Sequence, residues 1–562
     1  MASGAGLGPD AVVATDLAGT AALVADAALV ICRGHRDRPP RHGLRHALGT
    51  AVRAHPARPV GSPAVAPAPG AVGGHDRRPA RGHPRPRSGA AVGAPGGARG
   101  AHPALRRRTM PAHTRPRGPD ATAGGLPVGV VGTGYVGLTT AACLARLGHT
   151  IVGVDVDPDK VDALNRGEVD LGEPGLADLV RAGRDAGSLR FTTDPEALGA
   201  AGVVVLCVPT PSRPDGTADL AVFDSVLAGL APVLAPDCVV AVKSTVPVGT
   251  TARAGRVLDR ATVSNPEFLR EGHAAHDFLH PDRIVLGADE PTAADRVAAL
   301  YAGLDAPVLR TDPASAELAK YASNAFLALK VSYVNVLAEL CERVGADVGD
   351  VADTLRRDPR IGAAFLTPGP GWGGSCLPKD TRALLRTAEE AGVDFALLAD
   401  AIAANRHQHD RVARTVREAI TGSADGALAG VRIGLLGLTF KAGTDDVRDS
   451  PALAVAARLA VDGAVLTAYD PGIGRAAAGA LTAAGVQSVD DPVLVAKDAA
   501  GLVLLTEWPR FRDLDWAELA GHTGNPVLVD TRGLLDPGTL AGAGWRYHRL
   551  GRGRGEPGPT TG

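Results

Sequence analysis

The 562-residue sequence predicts an α/β protein: two units of alternating strands and helices, joined by a central helical region and preceded by a disordered N-terminal extension. Three observations carry this expectation. Short apolar runs that enter glycine turns and then helices occur twice, from Val128 and again from Val431. Between them, from about 312 to 345, apolar residues recur at helical spacing. Near residue 125 the composition changes abruptly.

Residues 1–125 are read as the extension. Its greater part is crowded with Arg, Pro, Gly, Ala and His; no lysine precedes Lys160 and no glutamate precedes Glu168. Such a segment has too little apolar surface to offset the entropy of ordering it. It is expected to be disordered or mis-annotated, with Met110 as an alternative start; a basic arm for nucleic acid or membrane is the competing reading. Asp16 and Asp26 break the apolar run at 11–32, which makes a signal peptide a poor fit. With a net charge of −2 there is no bulk electrostatic case for a nucleic-acid or acidic-membrane partner. No stretch of about 18 uninterrupted apolar residues is present, so no membrane span is expected. The six cysteines have neither metal-type nor disulfide-type spacing, which points to no metal and to a reducing, cytoplasmic compartment.

The first unit is assigned to 126–312. Val128–Val131 reads as a strand, Gly132-Thr133-Gly134-Tyr135-Val136-Gly137 as a turn, Leu138–Leu147 as a helix and Thr150–Val154 as a second strand ending at Asp155. A lone GxGxxG is weak evidence. Here it follows a strand, opens a helix and is answered by an acid about 20 residues on, which is the dinucleotide fingerprint of a Rossmann-like domain. Gly132 permits the tight turn, Gly134 lets backbone approach a pyrophosphate, and Gly137 lets helix and strand close up. A carboxylate at Asp155 takes ribose hydroxyls and repels a 2′-phosphate, favouring NAD over NADP. Lys160 is a ribose contact or a solvated charge. Thr210 and Thr245 follow strands at 202–208 and 238–242, where cofactors bind in such sheets; ordinary turn chemistry is the alternative. Glu267 and Glu271 share one face if their segment is helical, either as working carboxylates or as exposed charges.

The region 313–425 is assigned as helical. Asp312-Pro313 is a helix start, and Leu318, Ala322, Ala325, Leu329 and Tyr333 recur with helical spacing. Lys320 and Asn324 fall on one face, as a solvated pair or as an oxyanion-stabilising pair. Gly369-Pro370-Gly371-Trp372-Gly373-Gly374-Ser375-Cys376-Leu377-Pro378-Lys379-Asp380 then runs a glycine-rich turn into a helix start. Cys376 at a helix N-terminus, with Lys379 nearby, is expected to favour the thiolate; the alternative is an inert buried thiol. Asp380 returns to the same side. The second α/β unit, 426–551, has strands near 431–436, 464–468, 502–505 and 527–529 and lacks GxGxxG; the tail 552–562 is expected to be flexible.

GVVGTGYVGL, VPTPSRPDG, KSTVPVGTT, NPEFLREG, AKYASNAFLALK, DPRIGAAFLTPGPGWGGSCLPKD and GLTFKAGTDDVRDSPA, occurring in this order over about 126–550, resemble the NAD-dependent nucleotide-sugar 6-dehydrogenases. The resemblance implies two Rossmann-like domains around a central dimerisation region, a homodimer or higher homo-oligomer, and a four-electron oxidation of UDP-glucose that reduces two NAD. It implies Cys376 as nucleophile, Lys320 and Asn324 on the C6 oxygen, Asp380 with Thr245 on a water, and Glu267 in acid/base work. Cofactor contacts implied are Gly132, Gly134, Tyr135, Val136, Gly137, Asp155, Lys160, Thr210, Thr245, Glu271, Lys379 and Arg448. Substrate contacts implied are Glu267, Phe268, Leu269, Lys320, Asn324, Phe365, Gly373 and Lys441, with Arg360 lent across a dimer. Trp372 departs from the family's usual phenylalanine. Arg360-Ile361-Gly362 favours UDP-glucose over GDP-mannose, the competing substrate; a non-catalytic sugar-nucleotide binder is the alternative from another class.

Overall fold

A computed structural model describes residues 125–474 and 477–553. The disorder expected of the extension and the flexibility expected of the tail concern segments that, apart from their inner ends, lie outside the described residues.

The first sheet contains β1 (Pro127–Val131), β2 (Thr150–Val154), β3 (Leu189–Thr192), β4 (Val203–Leu206), β5 (Val239–Val242), β6 (Thr262–Ser264), β7 (Ile284–Gly287) and β8 (Val308–Thr311). Their order is β3-β2-β1-β4-β5-β6-β7-β8, parallel except where β7 meets β6. The chain runs outward from β1 to β3 and then returns to the other side of β1 with β4, so the crevice between β1 and β4 is the topological switch point at which such sheets bind ligands. The strands are apolar at consecutive positions because both faces are covered. Val203 and Val205 enter one core, Val204 and Leu206 the other.

The central region is built on helix Pro313–Val344, 32 residues long. Asp312 accepts a hydrogen bond from Ser315 N at 2.8 Å, a cap of about 1 kcal/mol, and Gly345 at φ 78° ends the helix. Among the described residues it is the one helix long and apolar enough to cross a membrane by length and composition. Its Glu317, Lys320 and Asn324 are nevertheless buried in contacts with other parts of the chain, as in a core helix. Glu317 accepts Gly249 N and Thr251 N at 2.6 and 2.7 Å, anchoring this helix to the start of helix Thr250–Leu258. The apolar recurrence noted in the sequence divides: Ala325 is buried, whereas Leu318 and Tyr333 are exposed. They belong to a stripe that continues through Phe326, Val336, Leu340 and Val344. Helices Val348–Arg356, Leu377–Glu390 and Ala396–Thr421 complete the region.

The second sheet contains β9 (Arg432–Leu436), β10 (Val465–Tyr469), β11 (Val486–Ser488), β12 (Leu502–Leu504), β13 (Val527–Asp530) and β14 (Arg546–Arg549), in the order β11-β10-β9-β12-β13-β14 and parallel throughout. The first six strands of the first sheet follow the same sequence of positions. The chain thus holds two Rossmann-like sheets with a helical region between them. Gly551 to Gly553 then run back to the central region: Val348 N donates to Gly551 O, and Gly553 N to Ala346 O.

One expected element is absent. The segment 265–270 is irregular, not helical, so Glu267 and Glu271 do not share a helix face. Pro266 disfavours helical backbone at Asn265, and the Glu267 carboxylate takes Leu269 N at 2.6 Å, which replaces a helical turn by a local side-chain loop.

Candidate active site

A cavity of about 760 Å³ opens where the three regions meet. The loop after β6 supplies Glu267, Phe268 and Leu269, the central helix supplies Lys320 and Asn324, and the glycine-rich segment supplies Gly373 and Cys376. Phe365 lines it as well, and the turn after β9 adds Phe440 and Lys441. Phe440 is a lining residue that sequence reasoning missed. Its neighbour Lys441 was named only through the family resemblance, and an aromatic in a turn carries no signal of its own.

Cys376 is the N-cap of helix Leu377–Glu390, with Pro378 in the first turn. Pro378 has no N–H to lose there, which stops the helix from extending backwards through the cysteine. Gly374 has φ 83°, and a Cβ on it would lie 2.7 Å from the Phe440 ring; a Cβ on Gly373 would lie 2.0 Å from Asp449 O. The approach to Cys376 therefore passes under the second sheet's loops only because these two residues lack side chains.

The polar residues form two buried pairs. Lys320 Nζ lies 2.8 Å from Glu267 Oε1, and both side chains are less than a tenth exposed. Asn324 Nδ2 donates to Asp380 Oδ2 at 2.5 Å, while Lys379 Nζ holds the other oxygen, Oδ1, at 2.5 Å. Burial favours the neutral acid of Glu267, but the Lys320 ammonium, Leu269 N and the Lys243 charge outweigh it and hold the carboxyl below its usual range. Burial likewise opposes the charge on Lys320, yet Glu267, Asp380 and Cys376 raise it, so the ammonium persists. One stable cation thus faces the thiol. Phe268 is stacked between the Arg283 guanidinium, 3.8 Å from its ring centroid, and Lys320, 5.3 Å away.

The thiol differs from the expectation. Cys376 is exposed by surface area because it faces the cavity, yet protein atoms surround it closely and its thiolate is poorly hydrated. Burial and Glu267 push its pKa up; Lys379 and Lys320 pull it down without cancelling the rise. The helix end alone does not acidify it.

The GxGxxG turn has the geometry of a dinucleotide cradle. Gly132 takes φ 84°, a Cβ on Gly137 would lie 1.7 Å from Gly132 O, and a Cβ on Gly134 would meet nothing within 4 Å. That open space above the first turn of helix Tyr135–Arg146 suits a pyrophosphate, so the residues fit NAD. Asp155 accepts Thr133 N and Oγ1 at 2.8 and 2.7 Å and Lys160 Nζ at 3.1 Å. Burial works against its charge, but the Thr133 and Lys160 contacts lower its pKa to about 2. Lys160 is paired with the Asp155 carboxylate, which matches neither the ribose contact nor the free solvated charge read from spacing. Val136 sits in the first helical turn, accepting Thr140 Oγ1 through its carbonyl. Thr210 Oγ1 donates to the Thr245 backbone carbonyl at 2.7 Å, which joins the two strand-end loops to each other.

Glu271 lines the cavity where it meets the second unit, whereas Arg448 and Arg360 are not among its lining residues. Glu271 crosses to the second unit: its Oε1 accepts Thr444 Oγ1 at 2.7 Å and its carbonyl accepts Lys441 Nζ at 2.5 Å. Burial pushes the Glu271 carboxyl up and the Lys441 ammonium down. Arg448 lies against Asp446, with Arg448 O accepting Gly374 N. Arg360 is exposed, with its guanidinium on Asp358. Behind the loop stands Glu173, also missed from the sequence. It accepts Gly272 N at 2.8 Å and Ala274 N, and Tyr135 Oη donates to it at 2.9 Å. A buried glutamate before Pro174 has no spacing signature; only its distant partners mark it.

Comparison with known proteins agrees with this arrangement. Residues 126–305 match the UDP-glucose/GDP-mannose dehydrogenase family, NAD binding domain; 314–407 match its central domain and 434–537 its UDP binding domain. A UDP-glucose 6-dehydrogenase of Rhizobium meliloti is 42% identical over 441 residues, covering 76% of this chain and 100% of that protein. One from Bacillus subtilis is 39% identical, covering 76% and 93%. A solved UDP-glucose dehydrogenase from Pyrobaculum islandicum is 36% identical, covers 78% of this chain and 100% of its own, and superposes with a TM-score of 0.69.

Proposed function

The chain belongs to the UDP-glucose/GDP-mannose dehydrogenase family, and we propose that it oxidises UDP-glucose to UDP-glucuronate in two steps at Cys376. The observation that carries this reading is the convergence of Cys376, Lys320 and Asn324 in one cavity between two nucleotide-type sheets. NAD, held by the Gly132–Gly137 turn and Asp155, supplies the hydride acceptor. The chain's own residues do the rest. After the C6 alcohol has lost a hydride to NAD and its hydroxyl proton to water, the Cys376 thiolate adds to the aldehyde carbon; a C–S bond forms and the carbonyl electrons move to oxygen. Lys320 and Asn324 offer N–H donors to that oxygen, a stabilisation that in acyl-transfer sites is worth about 3–4 kcal/mol per donor. Loss of a second hydride from the same carbon, to a second NAD that replaces the reduced first one, restores the carbonyl as a thioester. Water then attacks, the C–S bond breaks, the thiolate leaves, and Glu267, held ionised, takes the water's proton. Asp380 and Thr245 are the residues assigned to that water.

Lys320 and Lys379 lower the cost of forming the thiolate, which burial and Glu267 raise. The apolar stripe from Phe326 to Val344, more than half exposed at Phe326, Tyr333, Val336, Leu340 and Val344, supports a homodimer built along the central helix. Such a dimer is the context in which the exposed Arg360 reaches a second cavity. The five described cysteines are unpaired, in keeping with a reducing cytoplasmic compartment.

The test is to count NADH per UDP-glucose consumed in wild type and Cys376→Ala, with GDP-mannose as the comparison sugar nucleotide. Two NADH per UDP-glucose and no glucuronate from the variant are expected. Normal glucuronate formation by Cys376→Ala removes the covalent scheme, and faster turnover of GDP-mannose removes the substrate.

A further inference from the structure

The segment that delivers Cys376 has no regular secondary structure between Gly369 and Ser375, yet Gly371 to Gly374 are buried. Buried backbone N–H and C=O groups need partners, and here side chains of two helices supply them. Asn405, on helix Ala396–Thr421 and 6% exposed, makes a two-point pair with Trp372: Trp372 N donates to Asn405 Oδ1 and Asn405 Nδ2 donates to Trp372 O, both at 2.9 Å. One helical turn along, Gln408 Nε2 donates to Gly369 O at 2.7 Å, and from the central helix Asn335 Oδ1 accepts Gly369 N at 2.9 Å. Gly371, at φ 142°, lies so close that a Cβ there would sit 2.7 Å from Asn405 Oδ1 and 2.6 Å from His409 Nε2.

Trp372 itself is a second anchor. It is 7% exposed, and its Nε1 donates at 2.8 Å to Ser332 Oγ, which in turn donates to Ala401 O. The indole points into the helical region, so the replacement of the family's usual phenylalanine acts on loop anchorage and not on the fit of the sugar. Beyond Trp372 the contacts change owner: Gly373 and Gly374 lie against Asp449 and Phe440 of the second unit. Trp372 is therefore the last residue of the segment held by the helical region, through Asn405 of helix Ala396–Thr421 and through Ser332 of the helix that carries Lys320 and Asn324.

We propose that Asn405 is the positioning residue for the nucleophile: its amide clasps both backbone polar groups of Trp372 and thereby sets Cys376 in register with Lys320 and Asn324. Asn405 touches none of the reacting atoms; it acts through Trp372. The inference rests on Cys376 being the nucleophile.

The test uses the full chain with Asn405→Ala, Asn405→Asp and Gly371→Ala, below their melting temperatures, with UDP-glucose and NAD. Asn405→Ala is expected to lower kcat by roughly 10- to 100-fold, the effect of misplacing a reacting group by about 1 Å. KM for UDP-glucose should stay within about threefold, since no uniform binding contact is removed. The rate of Cys376 alkylation by iodoacetamide, followed by mass spectrometry, should change along with kcat. Gly371→Ala, which intrudes on the same clasp, should produce the same split. Asn405→Asp keeps the acceptor but sets a carboxylate oxygen against Trp372 O; protonation restores the donor. Its kcat relative to wild type should therefore rise as pH falls from about 9 to about 6, because burial raises a carboxyl pKa. If Asn405→Ala does not fold, this pH trend decides the matter. Wild-type kcat in Asn405→Ala, or a flat ratio in Asn405→Asp, overturns the clasp while Cys376→Ala remains inactive. Product from Cys376→Ala instead overturns the reading beneath it.

Discussion

The two sheets share one strand order, and in each the first strand ends in a glycine at positive φ: Gly132 at 84° and Gly437 at 89°. In each, an acid at the end of the second strand accepts hydrogen bonds from that turn. Asp155 takes Thr133 N and Oγ1; Asp470 takes Leu438 N, Thr439 N and Thr439 Oγ1. What differs is the space above. Over Gly134 there is room, and Lys160 stands at the rim. The first glycine is crowded in both, a Cβ on Gly132 lying 2.8 Å from Cys207 O and one on Gly437 2.4 Å from Thr506, but over the second turn Thr439 stands where Gly134 stands in the first, Trp508 Nε1 donates to its Oγ1 at 3.2 Å, and Trp508 presses on Gly472. The same topology therefore makes an open dinucleotide cradle once and a closed, internally bonded turn the second time. Strand order positions a crevice, and the side chains over the turn decide what enters it.

The comparison is broken most directly at the glycines. Gly137→Val brings atoms into the 1.7 Å approach to Gly132 O and is expected to weaken NAD binding by at least about 100-fold, equivalent to roughly 3 kcal/mol. Gly437→Ala should destabilise the second unit by about 1–3 kcal/mol and leave NAD affinity within about twofold. NAD titration and thermal melts of both variants give the answer; an equal loss of NAD affinity in Gly437→Ala would mean the turns are not functionally distinct.

The acids sharpen it. Asp155→Asn is expected to raise the KM for NAD by about tenfold through a lost charged acceptor. Asp470→Asn, buried on four donors, should instead lower stability by about 2–3 kcal/mol without changing that KM. A pH signature accompanies the first. The folded pKa of Asp155, about 2, lies below its unfolded value of about 3.9. Its contribution to stability is therefore complete above about pH 4 and is lost as pH falls toward 2. Acid titration of wild type and Asp155→Asn should converge in that window; a difference that persisted below it would contradict the assignment. The smallest effect belongs to the seam between the units. Thr444→Ala removes the hydrogen bond to Glu271 and should cost about 1 kcal/mol, read as a small drop in melting temperature.

Much of this was legible in the chain because it is local. The GxGxxG turn, Asp155 about 20 residues later, the Asp312-Pro313 helix start and the Cys376-Leu377-Pro378 helix start each depend on neighbours within one supersecondary unit, where steric rules and capping act directly. The same holds for the strands at 150–154 and 239–242. The errors lie where a local rule met a distant partner. Helical spacing put Glu267 beside Glu271, but Lys320 draws the first inward and Thr444 draws the second across to the other unit. A helix N-terminus favoured the thiolate of Cys376, but burial and Glu267 reverse the balance.

By itself, then, the sequence determined the two α/β units, the cofactor turn and the placing of Cys376 at a helix start. Only the tertiary structure decided the pairing of Lys320 with Glu267 and Asn324 with Asp380, the inward turn of Trp372 and its hold by Asn405. The physical reason is range. Backbone conformation answers to residues a few positions away, whereas desolvation and charge act on whatever lies within several ångströms, however far along the chain it comes from.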